Sequence, residues 1–170
     1  MPIKTAGAKP FGMYALNSMR MEKGYRHWKA DLITEFDPFE TGLDRFVDFS
    51  KQDFVGKAAL VKRHASGPTK KLVSMVVDST DAAAHGGASV MVDGRVVGTV
   101  SSGDYGHRTG LNIAYAFMDP VFAAPDTALH IDMLGELLAA KVIPVGPSAP
   151  PLLTRSGPLL SESERLPFNS

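Results

Sequence analysis

The chain has 170 residues, 44% apolar and 21% charged, enough for one domain of ordinary size with a packed core. Lys+Arg and Asp+Glu are both 18, so the sequence carries no electrostatic footprint for nucleic acid. Cysteine is absent, which excludes disulfides, thiol nucleophiles and cysteine-based zinc sites.

Residues 1–9 lack periodicity and read as a frayed start. They contain no apolar signal-peptide core, and no apolar run approaches the roughly 18 residues of a membrane span. A soluble, cytoplasmic protein with no membrane partner is the default expectation. From Pro10 the pattern turns helical, with Met13, Leu16, Asn17 and Arg20 on one stripe. Gly24 is placed to end that helix, and Tyr25 to Trp28 reads as extended or irregular. Asp37, Pro38 and Glu40 have the spacing of a helix cap with a capping box, which predicts a short helix to about Leu43. Arg45 to Phe49 alternates weakly, as a short strand does, and Asp53 opens a predicted second helix over Phe54 to His64. Gly67-Pro68 stops it.

Beyond Lys70 the texture changes. Residues 71–78 are rich in β-branched side chains. Val90 to Val92 and Arg95 to Val100 flank Asp93-Gly94, the strongest short hairpin signal. Further strands are predicted over Asn112 to Met118, Leu129 to Met133 and Leu137 to Val145, with Gly86-Gly87 and Gly103 to Gly106 as tight turns. Five or six short strands without an intervening helix give an α+β chain whose second part is a small antiparallel barrel or a sandwich. Three regions follow: residues 1–69, a β module at 70–145, and a proline-rich tail at 146–170 that wraps the surface or is disordered.

Phe11 to Trp28 is the stretch richest in ligand-binding chemistry. Glu22 has two readings. It is a solvated helix residue, or it is a fixed carboxylate that accepts paired hydrogen bonds from an amidine-like N–H face. Arg20, Lys23, Arg26 and Lys29 form either a solvated basic face or part of an anion site. Tyr25 and Trp28 are commoner as core or interface residues than as stacking platforms. The histidines at 27, 64, 85, 107 and 130 make no pair at metal-ligand spacing, so no metal site is expected. Ser101-Ser102-Gly103 lacks the glycine-flanked nucleophile elbow of serine hydrolases, and no phosphate-binding glycine motif is present.

The run ALNSMRMEKGYRHWKADL, then DPFETGL, then DFVGKAAL resembles the folate-binding glycine-cleavage T-protein (aminomethyltransferase) family. EKGYR and SVMVDGRVVGTVSSGDYG look most like the tetrahydrofolate-linked C-terminal regions of dimethylglycine and sarcosine dehydrogenases. The similarity covers residues 11–145 and implies the end of a folate-binding domain followed by a C-terminal β-barrel. It implies tetrahydrofolate as ligand, with Glu22 at the position that binds the pterin ring and Lys51 near a position that meets the folate tail. Two departures are visible: Ser101 stands where the family's V-T-S-G turn has threonine, and Ala88 stands where the dehydrogenase branch often has an acid. The family's long N-terminal portion, with an aspartate near the reacting one-carbon unit, has no counterpart here; Asp31, Asp37 and Asp44 do not match it. The FAD-binding half of the dehydrogenases has none either. The resemblance therefore implies a C-terminal module for methylene transfer to tetrahydrofolate, with no catalytic residue of its own and a second chain carrying the N-terminal half. The rival expectation is a non-catalytic partner-binding subunit or remnant without independent activity.

Overall fold

Asp93 and Gly94 both sit at positive φ, 48° and 72°, and close the hairpin that the Asp-Gly pair predicts. The structure, a computed structural model, describes residues 7, 9–80 and 82–144. Its strands are β1 (Lys71–Val77), β2 (Ser89–Val92), β3 (Arg95–Gly106), β4 (Leu111–Met118), β5 (Ala128–Met133) and β6 (Glu136–Ile143). They close into an antiparallel barrel in the order β1-β4-β3-β2-β5-β6, which settles barrel against sandwich and leaves no free sheet edge. A second positive-φ pair, Leu134 at 60° and Gly135 at 99°, turns β5 into β6.

The barrel is filled by side chains from alternate positions, among them Val73, Met75, Val77, Val90, Val100, Ala114, Ala116, Met118, Ile131 and Val142. β1 and β4 are buried on both faces, which explains their predominantly apolar runs, interrupted only by the buried Ser74 and Asn112 after the exposed Lys71. Their outward side chains Leu72, Ile113, Tyr115 and Phe117 form a second cluster with Met21, and Phe36 stacks on Phe117 at 3.6 Å between ring centroids. Each such buried side chain contributes about 1.5–3 kcal/mol. This outer cluster seats the N-terminal segment on the barrel wall.

That segment holds α1 (Met13–Glu22), a 3-10 turn at Asp44–Phe46 and α2 (Lys57–Ser66). Lys23 caps α1, and Gly24, at φ 73°, lets its N–H reach the Met21 carbonyl while Tyr25 N–H reaches that of Arg20. This paired closure is the left-handed stop expected of a glycine just past a helix.

Several expectations are corrected. The residues predicted as a short helix after Pro38 form turns, including a bond from Thr41 N to the Asp37 carbonyl. The Asp37–Glu40 capping box nevertheless forms in full: Asp37 Oδ1 accepts from Phe39 N and Glu40 N, and Glu40 Oε2 accepts from Asp37 N. Glu40 does not propagate a helix because its other oxygen is drawn to the start of β1. The weakly alternating Arg45 to Phe49 contains the 3-10 turn rather than a strand. α2 starts at Lys57, not Phe54, because Asp53 Oδ1 turns back to Phe54 N and Gly56, at φ 87°, precedes the helix. Gly103 to Gly106 lies within β3, and the turn follows it at residues 107–110. The glycine at 103 answers to packing: a Cβ there would fall 1.9 Å from the Ala84 carbonyl oxygen. The predicted proline-rich tail and most of the frayed start lie outside the described residues.

Glu40 is 1% exposed and ties the segment to the barrel. Its Oε1 accepts from Thr69 N at 3.1 Å, Thr69 Oγ1 at 2.7 Å and Lys70 N at 3.2 Å, and Arg63 Nη2 lies 3.1 Å away. Burial pushes the carboxyl pKa up, but the hydrogen bonds from Thr69, Asp37 and Lys70 outweigh it, and the net shift is below the ordinary 4.5. A depressed carboxylate stabilises the fold above its unfolded pKa, and that contribution disappears as pH falls through the folded one. Glu40→Gln is therefore expected to lower the urea midpoint at about pH 7, with the gap to wild type narrowing at about pH 3. A gap that does not change with pH would show that the ionised form is not what binds these donors.

Candidate functional site

α1 packs with its polar residues inward. Ser18, Met21 and Glu22 are buried, whereas Met13, Tyr14, Leu16 and Met19 are exposed, Tyr14 to 91%. The stripe of Met13, Leu16, Asn17 and Arg20 is thus divided, with Met13 and Leu16 exposed and Asn17 and Arg20 partly buried. The reason is what α1 lies against, namely the polar backbone at the end of β3 and the turn after it. Ser18 Oγ donates to the Tyr105 carbonyl at 2.6 Å, and Asn17 Nδ2 donates to Asp104 Oδ2 at 2.6 Å. Tyr115 OH donates to the Met21 carbonyl at 2.8 Å.

Glu22 completes this latch. Its Oε1 accepts from Arg108 N at 2.7 Å and Thr109 N at 2.9 Å. Gly106 makes room for it, since a Cβ there would lie 2.9 Å from the same oxygen. The solvated-surface reading of Glu22 is thus wrong: the side chain is 5% exposed and half of its acceptor capacity holds the β3–β4 turn. Among the described residues no donor is hydrogen-bonded to Oε2. The site therefore consists of an ionisable carboxylate fixed through one oxygen, with the other left to accept from elsewhere.

Asp31 is the second organising carboxylate. It is fully buried, in an irregular turn between Trp28 and Leu32. Oδ2 accepts from Arg20 Nη1 at 2.6 Å and His27 N at 2.7 Å. Oδ1 accepts from Ser101 Oγ at 2.6 Å and Ser102 Oγ at 2.7 Å. Consecutive strand residues ordinarily point to opposite faces. Here a bulge between Val100 and Ser102 adds one residue to β3, so both hydroxyls reach the same oxygen. The family-like turn at Val100 to Gly103 is thus part of a bulged strand, and its serines serve a buried acid. Arg20 also donates to Asn17 Oδ1 and the Tyr25 carbonyl, and its guanidinium lies 5.7 Å from the Tyr115 ring centroid. Burial chiefly pushes the Tyr115 phenol pKa up, which keeps the hydroxyl a donor to Met21.

Lys51 is exposed, and its carbonyl accepts from Lys57 Nζ at 2.5 Å. Three clefts are formed among the described residues near this segment and the barrel, and neither Lys51 nor Glu22 lines any of them. One cleft, of about 430 Å³, is lined by Lys23, Gly24, Tyr25, Arg26, Leu32, Leu43 and Arg45. Another, of about 460 Å³, is bordered by Met13, Tyr14, Leu16, Trp28 and Arg26 among others. Tyr25 and Trp28 are 67% and 65% exposed, so neither is a core residue. No group of three or more His, Asp or Glu side chains among the described residues is placed to hold a metal ion. Sequence reasoning singled out Glu22 as a candidate and missed the Asp31 hub, whose serine partners lie 70 and 71 residues away. A lone aspartate in an irregular segment carries no local signal of such a role.

Comparison with known proteins agrees with this architecture. Residues 70–146 match the glycine cleavage T-protein C-terminal barrel domain, and residues 3–51 match the GCVT N-terminal domain. The chain belongs to the glycine-cleavage T-protein family. Within it, the chain is 33% identical over 138 residues to rat (Rattus norvegicus) mitochondrial dimethylglycine dehydrogenase, covering 81% of this chain and 16% of that protein. It is 37% identical over 137 residues to the Streptomyces coelicolor aminomethyltransferase, covering 78% of this chain and 37% of that protein. It thus spans under two-fifths of these curated relatives. The crystal structure of the glycine cleavage system aminomethyltransferase T from Bartonella henselae superposes with a TM-score of 0.77 over 82% of this chain and 40% of that one. At 22% identity that likeness is one of fold.

This family membership implies folate use, and the donor set here fits such a ligand in one respect. A pterin ring presents adjacent N–H donors, and Glu22 offers an acceptor oxygen that no described residue uses. No helix among the described residues is long and apolar enough to cross a membrane.

Proposed function

We propose that this chain is the C-terminal folate-binding module of an aminomethyltransferase or of a dimethylglycine or sarcosine dehydrogenase-type enzyme. In that reading it takes part in transferring a methylene unit to tetrahydrofolate. The observation that carries the reading is Glu22, a buried carboxylate whose Oε1 is fixed by Arg108 and Thr109 N–H while Oε2 has no donor among the described residues. Oε2 would take the paired N–H donors of the pterin. Bound folate supplies the acceptor for the one-carbon unit; the residues of this chain bind and orient it. Lys51, with an exposed ammonium in none of the described ion pairs, is the proposed contact for the anionic tail. No residue of this chain is assigned to the chemical step, and the acid for it is proposed to come from a partner chain. Calorimetric titration of tetrahydrofolate into the protein is expected to give a saturable heat with one site per chain. Absence of saturable heat at millimolar folate would remove the reading.

A second reading has its own support. Phe11, Met13, Tyr14, Leu16, Met19 and Trp28 expose apolar surface on and beside α1, each more than 40% accessible. That is the character of a docking face, and it fits a module that acts by holding a partner subunit rather than by binding folate.

A further inference from the structure

We propose that the cleft between the end of α1 and the 3-10 turn at Asp44–Phe46 binds a small organic polycarboxylate, anchored by Arg26. The proposal does not rest on the folate reading, because neither Glu22 nor Lys51 lines this cleft.

Three cations line it, Lys23, Arg26 and Arg45, and no carboxylate does. The ion pairs among the described residues use Arg20, Arg63, Lys70 and Lys141, so none of the three is paired. Arg26 is the decisive one. It is half-buried, and burial is the main influence lowering its pKa, with Arg45 adding repulsion. Charged side chains withdrawn from water are ordinarily matched by an opposite charge. The field of Tyr115, Asp31 and Asp44 opposes that shift, and two of these groups are carboxylates. Asp31 has its oxygens taken by Arg20, His27 N and the two serines, and Asp44 is exposed and makes no ion pair among the described residues.

The guanidinium is held in place. Nε donates to the Thr41 carbonyl at 2.6 Å, and the Nη2 end rests against Gly42, where a Cβ would come within 2.8 Å. Its remaining N–H groups have no acceptor among the described residues. A fixed planar donor fork with free N–H groups suits a carboxylate. Lys23 and Arg45 supply charge for a second and third acid group, although Arg45 also lies over the Phe46 ring at 4.7 Å. Leu32 and Leu43 add apolar lining, which favours a carbon skeleton between the acid groups over a bare phosphate. A volume of about 430 Å³ is in the range of small-ligand sites.

The test titrates the full chain calorimetrically with citrate, inorganic phosphate and acetate at matched ionic strength. Citrate is expected to saturate one site, with phosphate and acetate each about tenfold weaker or more. Arg26→Gln is expected to weaken citrate by about tenfold or more, the worth of a charge-assisted hydrogen-bond pair. Arg45→Gln, on an exposed turn where loss of folding is not expected, carries the same test with a several-fold loss. Lys62→Gln, on the exposed face of α2, reports non-specific charge effects and is expected to change nothing. No saturable citrate binding, equal binding in Arg26→Gln and Arg45→Gln, or phosphate binding as tight as citrate would each overturn the proposal.

Discussion

Asp31→Ala is expected to lower the free energy of unfolding by about 3–5 kcal/mol, the range for breaking one side of a buried ion pair. The pair is withdrawn from water, with the Arg20 side chain 10% exposed and that of Asp31 not at all. Removing the acid leaves a guanidinium without its counter-charge. It also leaves the His27 N–H and the Ser101 and Ser102 hydroxyls without their common acceptor. The urea midpoint should fall with the slope unchanged, since the fold and its buried surface persist. Removing both charges together, as Asp31→Leu with Arg20→Met, should cost less than Asp31→Ala alone, because no bare charge remains buried. A loss under about 1 kcal/mol for Asp31→Ala would mean that water replaces the acid and that this hub does not hold α1 to β3.

The second large effect concerns Glu22. Glu22→Gln keeps a carbonyl oxygen for Arg108 and Thr109 N–H, so the staple between α1 and the β3–β4 turn survives. It replaces the free oxygen with an NH2 group, which meets the ligand's N–H donors as donor against donor. Tetrahydrofolate affinity is expected to fall by about tenfold to a hundredfold, the worth of charge-assisted hydrogen bonds at about 1.5–3 kcal/mol. The thermal midpoint should stay near that of wild type. Glu22→Ala should lose both, since two backbone N–H groups are then left unpaired at about 1–3 kcal/mol each. Calorimetry and a melting curve on the two variants separate the ligand role from the structural one. Undiminished folate binding by Glu22→Gln would leave the residue a structural staple only.

How much of this was legible depends on how local the determining contacts are. The β2–β3 hairpin was readable because Asp93-Gly94 suits a turn with two positive φ values whatever surrounds it. β1 and β4 were readable because burial on both faces favours apolar side chains at nearly every position. The capping box was readable as well, but the helix predicted after it was not formed, because Thr69 and Lys70 lie 29 and 30 residues beyond Glu40. α1 was readable as a helix, but which of its side chains are buried was not. Ser18 and Glu22 are polar and buried only because Tyr105, Arg108 and Thr109 meet them from 86 or 87 residues away. Glycine misled at Gly103, where the permissive residue serves close backbone approach to Ala84 rather than a turn. The bulge that aims Ser101 and Ser102 at Asp31 has no sequence signature.

The same distinction governs the site. A resemblance in short motifs pointed to Glu22, and the structure gives that residue a double character that no motif encodes. One oxygen accepts from Arg108 and Thr109 N–H, and the other has no hydrogen-bond donor among the described residues. Lys51 and Glu22 share none of the clefts described, so a ligand touching both must reach across surface outside them.

The most direct test is a crystal structure of the chain with tetrahydrofolate. The pterin N–H groups are predicted within hydrogen-bond distance of Glu22 Oε2, with Arg108 and Thr109 N–H still on Oε1. Folate bound elsewhere, with Glu22 making no contact to it, would contradict the account.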